Sequence, residues 1–596
     1  MIAARALVLL AAPMLLGAQA PVRYTLRVDT TDLASVRMEM RIPAARDTLR
    51  VAMATHDEYD DRYWRYVSDL SAESGGAPIT IVREDSAVWR ITGAKGDVTV
   101  SYRIALPPRD PLAGDRRSWM SYLSLTGGLV GSIDCLMFVP TRTAAAATLT
   151  MRIPAGWRIA TGLEHTADPN VFHAANAATL LDSPLLIGRI REWSIANAKV
   201  AFLPTPATVP FDTAAFLNII QRITTQAIAI FGGAPYREYT FLLEDGAGDA
   251  LEHINSLVVG VFSADLARDP TEYNTEFAHE FFHTWNLIRL HPVGLRALHP
   301  GPTPRVSELW WSEGMTIYFA DEILQRAGLY GPSVTRSSRL AERIARYHAN
   351  PGYTHVSPER ASLTFGLSPG ANGDYSGDYY LSGQLFGDML ELIIRDSAKG
   401  ARGMDQVMAA LYAHSAGEPG YTLADIEHAV NEVCACELRP FLNDHIRNAL
   451  PYDFDAALRG IGYRTEVAWD TARDSAGAPI ADTRVFVMRP EGAPASSPLR
   501  IAIIRPAGAW ARAGLHSGDE LIAVNGNGVS TRMEFRRLLA AFRVGEHVKV
   551  TYSRNGRRAV ADVLIDVYVM PKVTLVDLPD LTPQQLAMRA NWLAAK

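Results

Sequence analysis

The chain is predicted to be a multidomain α+β protein, with an N-terminal antiparallel β domain, a middle domain that becomes helical in its C-terminal half, and a C-terminal β-rich domain. Three observations predict this. At 596 residues the chain is too long for one core. Its apolar residues recur every second position up to about Trp193, then every three to four positions after Asp212. Past about Asp455 the pattern returns to β-rich.

Composition bounds the classes. Hydrophobic residues make up 48% and charged residues 20%, and the mean hydropathy is zero, which describes a globular chain with several cores. A net charge of −6 and scattered Lys and Arg give no electrostatic footprint for nucleic acid. At the N-terminus, Arg5, the apolar run Ala6 to Leu16 and Ala18-Gln19-Ala20 read as a signal peptide of residues 1–20, cleaved after Ala20. The run is shorter than the ~20 residues a spanning helix needs. A periplasmic or secreted protein without a stable membrane span is expected. Cys135, Cys434 and Cys436 are too few for a disulfide framework, and an odd count leaves at least one thiol unpaired or joined between chains. The "CAC" pair supplies only half a tetrahedral metal set and reads as structural.

The elements follow in order. Residues 21–202 form the β domain, with alternating runs Tyr24, Leu26, Val28; Val36, Met38, Met40, Ile42; Val98, Val100, Tyr102, Ile104; and Leu149, Met151, Ile153. Residues 203–455 form the middle domain. It opens on a helix carrying Phe216, Ile219, Ile220, Ile223, Ala227 and Ile230, and continues through the strand-like runs "YTFLLE" and "LEHINSLVVGVFS" into further helices. Thr422 with Asp425 three residues on marks a capping box. Residues 456–572 form the last domain, and 573–596 a C-terminal tail.

Chemistry is concentrated in "FAHEFFHTWN", Phe277 to Asn286. His279 and His283, at i and i+4 on one helix face, can both reach one Zn²⁺, and Glu280 stands beside the metal within reach of a bound water. Zinc lowers the pKa of such a water to about 7, and the glutamate removes its proton. Two surface histidines on an amphipathic helix present the same pattern, so a third ligand is required. In "SELWWSEGMTIYFADEIL", Glu313 is a carboxylate within an apolar helix carrying Trp310, Met315, Ile317 and Phe319. A buried carboxylate must be paired or hold a cation, so Glu313 is the predicted third ligand. Glu308 competes from the start of the segment, and His291 and His299 fall in a Pro/Gly-rich loop expected at the surface. The metal-bound imidazoles need acceptors for their other N–H groups, for which Asp321 and Asn286 are unranked candidates.

"AHEFFHTWN" followed by "LWWSEG" resembles the glycyl aminopeptidase family of gluzincin metallopeptidases, relatives of the aminopeptidase N group. The resemblance implies a thermolysin-like catalytic domain with one Zn²⁺ per chain, acting on peptides with a free N-terminus and a small first residue, glycine or alanine. It also implies two further positions. "ALEH", Ala250 to His253, resembles the stretch whose glutamate binds the substrate α-amine, which makes Glu252 the matching residue. Asp249-Ala250 stands where the family tends to have two glycines. "DYYLSG", Asp378 to Gly383, resembles the stretch whose tyrosine donates to the tetrahedral oxyanion. Tyr380 is the match, with Tyr379 as rival and Ser382 in place of the usual lysine.

"AWARAGLHSGDELIAVNG", Ala509 to Gly526, resembles PDZ domains, which bind an extended peptide or protein C-terminus by strand addition. Asn525-Gly526 marks a hairpin, Met533 to Phe542 the helix beside the groove, and "GIGY", Gly460 to Tyr463, a possible carboxylate nest. The sequence thus predicts a zinc aminopeptidase; a zinc endopeptidase and an inactive PDZ binding protein are the alternatives.

Overall fold

The computed structural model describes residues 20–56, 62–106, 117–295, 301, 303–490, 493 and 496–594. The signal peptide lies outside them apart from Ala20, as does His299.

The N-terminal domain is built on an eight-stranded sheet whose centre is the pair Asp32–Ala52 and Val88–Ala105. Their alternating residues meet in antiparallel register, Met38 opposite Tyr102 and Met40 opposite Val100, and all four are buried in one core. One pairing departs from the antiparallel expectation: Val22–Asp29 runs parallel to Ala147–Arg152. A smaller four-stranded sheet joins this domain to the next, because its Leu129, Ala160 and Leu186 pack in one cluster with Ala201, Leu203, Leu242 and Val258.

Strands Arg191–Ile195 and Ala198–Leu203 correct the predicted boundary at 202/203. They belong to the five-stranded sheet of the middle domain, where Ala198–Leu203, Thr240–Asp245 and Ser256–Val261 run parallel. The reason is burial: Val200 and Phe202 complete the apolar face that helix Thr213–Phe231 covers with Phe216, Ile220 and Ile223. That helix is long and apolar enough to cross a membrane, contrary to the expectation that no stretch beyond the signal peptide would be. It is amphipathic instead, held by the Asp212 cap and turned into the core. The run "LEHINSLVVGVFS" is two strands rather than one. Ala250–His253 turns back at Ile254-Asn255 and pairs antiparallel with Ser256–Val261 as the sheet's edge.

Helices Gly314–Arg326 and Arg336–Ala349 both pack on Tyr379–Ser397, and the three carry a buried ion network. Arg343 grips Asp388 at 2.7 and 2.8 Å, Arg336 meets Glu322 at 2.9 Å, and Arg395 meets Glu391 at 2.6 Å. Asp321 is used here, by Arg339 and Arg343, and does not orient the histidines.

The C-terminal region holds a six-stranded sheet between Val485 and Leu564, with helix Arg532–Ala541 beside edge strand Val485–Met488. Asn525 and Gly526 both take positive φ in the predicted hairpin turn. Two expectations fail nearby. Residues 573–596 are no tail: Val569–Asp577 pairs with Tyr463–Thr471 in a separate ribbon, and helix Pro583–Leu593 follows. Val573, Met588 and Trp592 are buried against Leu340, Ile344 and Leu385, so this end of the chain covers middle-domain helices. Gly460 to Tyr463 is no carboxylate nest for the groove beside Arg532–Ala541 either: it leads into the separate ribbon, the Gly462 N–H is taken by Arg459 O at 2.9 Å, and Leu581 and Arg589 pack against Gly462. Cys434 and Cys436 are disulfide-bonded, and Cys135 is free and buried.

Candidate active site

Helix Asn274–Phe282 lies against Ser256–Val261 and Gly314–Arg326, with Phe277, Ala278, Phe281 and Phe282 in the core. This leaves His279 and, at the helix C-terminus, His283 facing the same way. Their Nε2 atoms are 3.0 Å apart. Glu313 stands at the break between Leu309–Ser312 and Gly314–Arg326, its Oε2 3.3 Å from His279 Nε2 and 3.4 Å from His283 Nε2. Donors at the about 2.0–2.2 Å bonds of tetrahedral zinc lie about 3.3 Å from one another, so the three atoms have the spacing of one metal's ligand set.

The charges agree with that fit. Burial opposes a charge on His283, yet the Glu313 and Glu252 carboxylates outweigh it and push its pKa up to about 10. Burial likewise opposes the charge on Glu313, and the imidazoles still hold it below the usual carboxylate range. The cluster draws positive charge to the point where a cation would sit.

Asn286 ties the two ligand segments together. Its carbonyl faces His283 Nδ1 at 2.8 Å, and its side-chain amide donates to the carbonyls of Trp311 and Ser312 and to Thr316 Oγ1 at 3.2, 3.0 and 3.0 Å. The backbone of Asn286, and not its side chain, is therefore the acceptor the imidazole requires.

A carboxylate oxygen of Glu252 and one of Glu280 lie within 4.8 Å of each other and of a ring nitrogen of His283. Burial raises the pKa of Glu252. Asp249, in place of a family glycine, takes φ +60°, a conformation Asp tolerates better than most residues, so this position does not require glycine. The Tyr380 ring lies 6.3 Å from that of His279 and stacks on Tyr379. Burial, followed by the Glu313 charge, keeps its phenol protonated well above the ordinary range. Ser382 does not stand in for lysine, because its hydroxyl donates to the Asp378 carbonyl within its own helix.

Tyr380 comes this close because glycines face each other where two helices cross. A Cβ on Gly314 would sit 2.5 Å from Gly383 Cα, and a Cβ on Gly383 would collide with the Trp310 carbonyl. Three sequence candidates stay out of the ligand cluster. Glu308 receives a hydrogen bond from Ser307, Asp321 serves the ion network, and His291 is buried beside Pro292 and Tyr421 instead of lying at the surface. Residues the sequence did not single out are Asp182, Ser118 and Arg289, which hold the hairpin carrying Glu252. No local signal marks them, since the first two come from the other domain.

Three family descriptions match the chain: the Peptidase M61 N-terminal domain over residues 23–189, M61 glycyl aminopeptidase over 273–386, and a PDZ domain over 482–565. The chain is similar in fold to an aminopeptidase N family protein from Idiomarina loihiensis, with TM-score 0.73 and 20% identity, covering 96% of this chain and 100% of that one. An M1 zinc metallopeptidase mutant from Deinococcus radiodurans, bound to a Tyr-Ser-Ala substrate, overlaps more loosely, with TM-score 0.46 and 15% identity, covering 73% and 95%. No curated protein matches the chain in sequence. Fold, site and family together define a zinc metallopeptidase of the aminopeptidase class. More narrowly, the chain carries a Peptidase M61 N-terminal domain, an M61 glycyl aminopeptidase domain and a C-terminal PDZ domain.

Proposed function

We propose that the protein is an exported aminopeptidase, periplasmic or secreted, that uses one zinc per chain, held by His279, His283 and Glu313, to hydrolyse the N-terminal peptide bond of peptides beginning with glycine or alanine. The reading is carried by one observation: Glu252, the residue matching the family's amine binder, brings a carboxylate oxygen within 4.8 Å of both Glu280 and His283 of the ligand set. When bound, zinc supplies Lewis acidity, polarising the scissile carbonyl and lowering the pKa of water to about 7.

The chain's own residues do the rest. Glu252 receives the substrate's α-ammonium and thereby sets which peptide bond reaches the reacting point. Glu280 takes a proton from the attacking water and returns it to the leaving amine. The Tyr380 hydroxyl donates to the oxyanion as it forms, an interaction of the kind worth about 3 kcal/mol. The PDZ domain offers a groove between Val485–Met488 and Arg532–Ala541 for an extended peptide or protein C-terminus.

The test is hydrolysis of a matched pair of peptides, one with a free N-terminal glycine and one acetylated, by zinc-loaded protein with Glu280→Gln as blank. Cleavage of the free peptide alone supports the aminopeptidase. Equal cleavage of both makes the protein an endopeptidase.

A further inference from the structure

Glu252 lies on an edge strand, paired on one side only, with Ser256–Val261. Such a strand is the least constrained member of a sheet, and small slips in it move its side chains. An amine subsite needs the opposite, because misplacing a binding group by about 1 Å can cost on the order of a hundredfold in rate. The catalytic domain holds the turn beyond the pairing, where Arg289 donates to Ile254 O and Asn255 Oδ1, both at 3.1 Å, and the Thr240 N–H donates to Asn255 O at 3.1 Å.

Further restraints come from the N-terminal domain and grip the hairpin at both ends. Ahead of the strand, the Ser118 backbone N–H donates to Gly248 O at 2.9 Å and its hydroxyl to Asp249 O at 3.0 Å. At the turn, Gly162 fits against Asn255 and Ser256, where a Cβ would come within 3.0 and 2.9 Å. Directly behind Glu252, the two oxygens of Asp182 divide their work: Oδ2 accepts the Ile254 N–H at 2.7 Å, and Oδ1 lies 3.2 Å from His253 Nδ1. His253 is buried on the strand face opposite Glu252. Asp182 is itself anchored, capping helix Ala177–Leu181, whose Leu180 and Leu181 sit in the N-terminal core.

We infer that Asp182 is a positioning residue for the amine subsite: through His253 and Ile254, the N-terminal domain sets the depth at which Glu252 faces the metal ligands. The assignment rests on reading Glu252 as the amine binder, and Asp182 itself touches no substrate.

The test measures binding of two small zinc chelators that differ only by an amine, glycine hydroxamate and acetohydroxamate, to the zinc-loaded full-length protein by calorimetry. In the unaltered protein glycine hydroxamate binds more tightly, and the ratio of the two affinities reports the amine subsite. Asp182→Ala is expected to lower that ratio at least fivefold with zinc content and acetohydroxamate affinity unchanged. Asp182→Asn, which keeps one acceptor, is expected to fall in between and serves alone if the alanine variant does not fold. Hydrogen exchange at Ile254 to Val258 is expected to quicken in both. An unchanged ratio in Asp182 variants, with the ratio lost in Glu252→Gln, overturns the positioning role and leaves the amine reading standing. A ratio unchanged in Glu252→Gln overturns both. Equal weakening of the two chelators makes Asp182 merely structural and also overturns the assignment.

Discussion

Three carboxylates crowd around two imidazoles, and what each faces separates their roles. Glu313 Oε2 sits at ligand distance from both rings, Glu280 follows His279 on the same helix, and Glu252 approaches from the edge strand. Glu280→Gln is expected to retain metal, measured by atomic absorption, while kcat falls on the order of 10²–10⁴-fold, since only proton transfer is lost. Tyr380→Phe is expected to lower kcat about a hundredfold with KM little changed, the signature of an interaction made only in the transition state. A comparable rise in KM would instead place the tyrosine on the ground-state substrate.

At the scale of elements, catalysis depends on how closely helices Gly314–Arg326 and Tyr379–Ser397 approach. Gly383 lies three residues from Tyr380 and one helix crossing from Glu313, and its missing Cβ is what allows contact with the Trp310 carbonyl. Gly383→Ala is therefore expected to separate Tyr380 from the metal ligands and lower kcat at least tenfold, whereas Gly331→Ala, at an open position with no left-handed backbone, leaves kcat unchanged; equal kcat in the two variants counts against the close approach. The ion network is a separate matter of stability. Arg343→Met strands the buried Asp388 carboxylate and is expected to destabilise the fold by about 3–5 kcal/mol in a denaturant titration.

At the scale of the whole molecule, the PDZ domain touches the catalytic domain on the loop that leads into Tyr379–Ser397. Asp374 accepts the Ser517 N–H at 2.7 Å and lies 2.7 Å from His516 Nδ1, and Gly370 and Gly518 let the two backbones meet. Partial burial works against the charge on Asp374, but the hydrogen bonds from Ser517 and His516 outweigh it, so its pKa is lowered in the folded protein. A lowered carboxylate pKa means the contact contributes in full above the ordinary value of 3.8 and is lost as pH falls through the folded value. Asp374→Ala is accordingly expected to loosen the PDZ domain at pH 7, raising the radius of gyration in solution scattering. In the unaltered protein the same change is expected only in acid.

The sequence by itself determined the local chemistry and the coarse order of domains, because both are written at short range. His279, Glu280 and His283 follow helical spacing, Glu313 stands out as a carboxylate among aromatics, and the long strands of the first domain alternate with period two. The tertiary structure alone decided what long-range packing controls. It gave strands Arg191–Ile195 and Ala198–Leu203 to the second domain, where Val200 and Phe202 find their core, and folded the chain after Val573 onto helices hundreds of positions earlier, burying Trp592. It also chose the carbonyl of Asn286 over Asp321 as the partner of His283, and set Asp182 behind the strand bearing Glu252. An isolated Asp182 carries no mark of a partner about seventy residues away, since that hydrogen bond exists only once two domains have closed on each other.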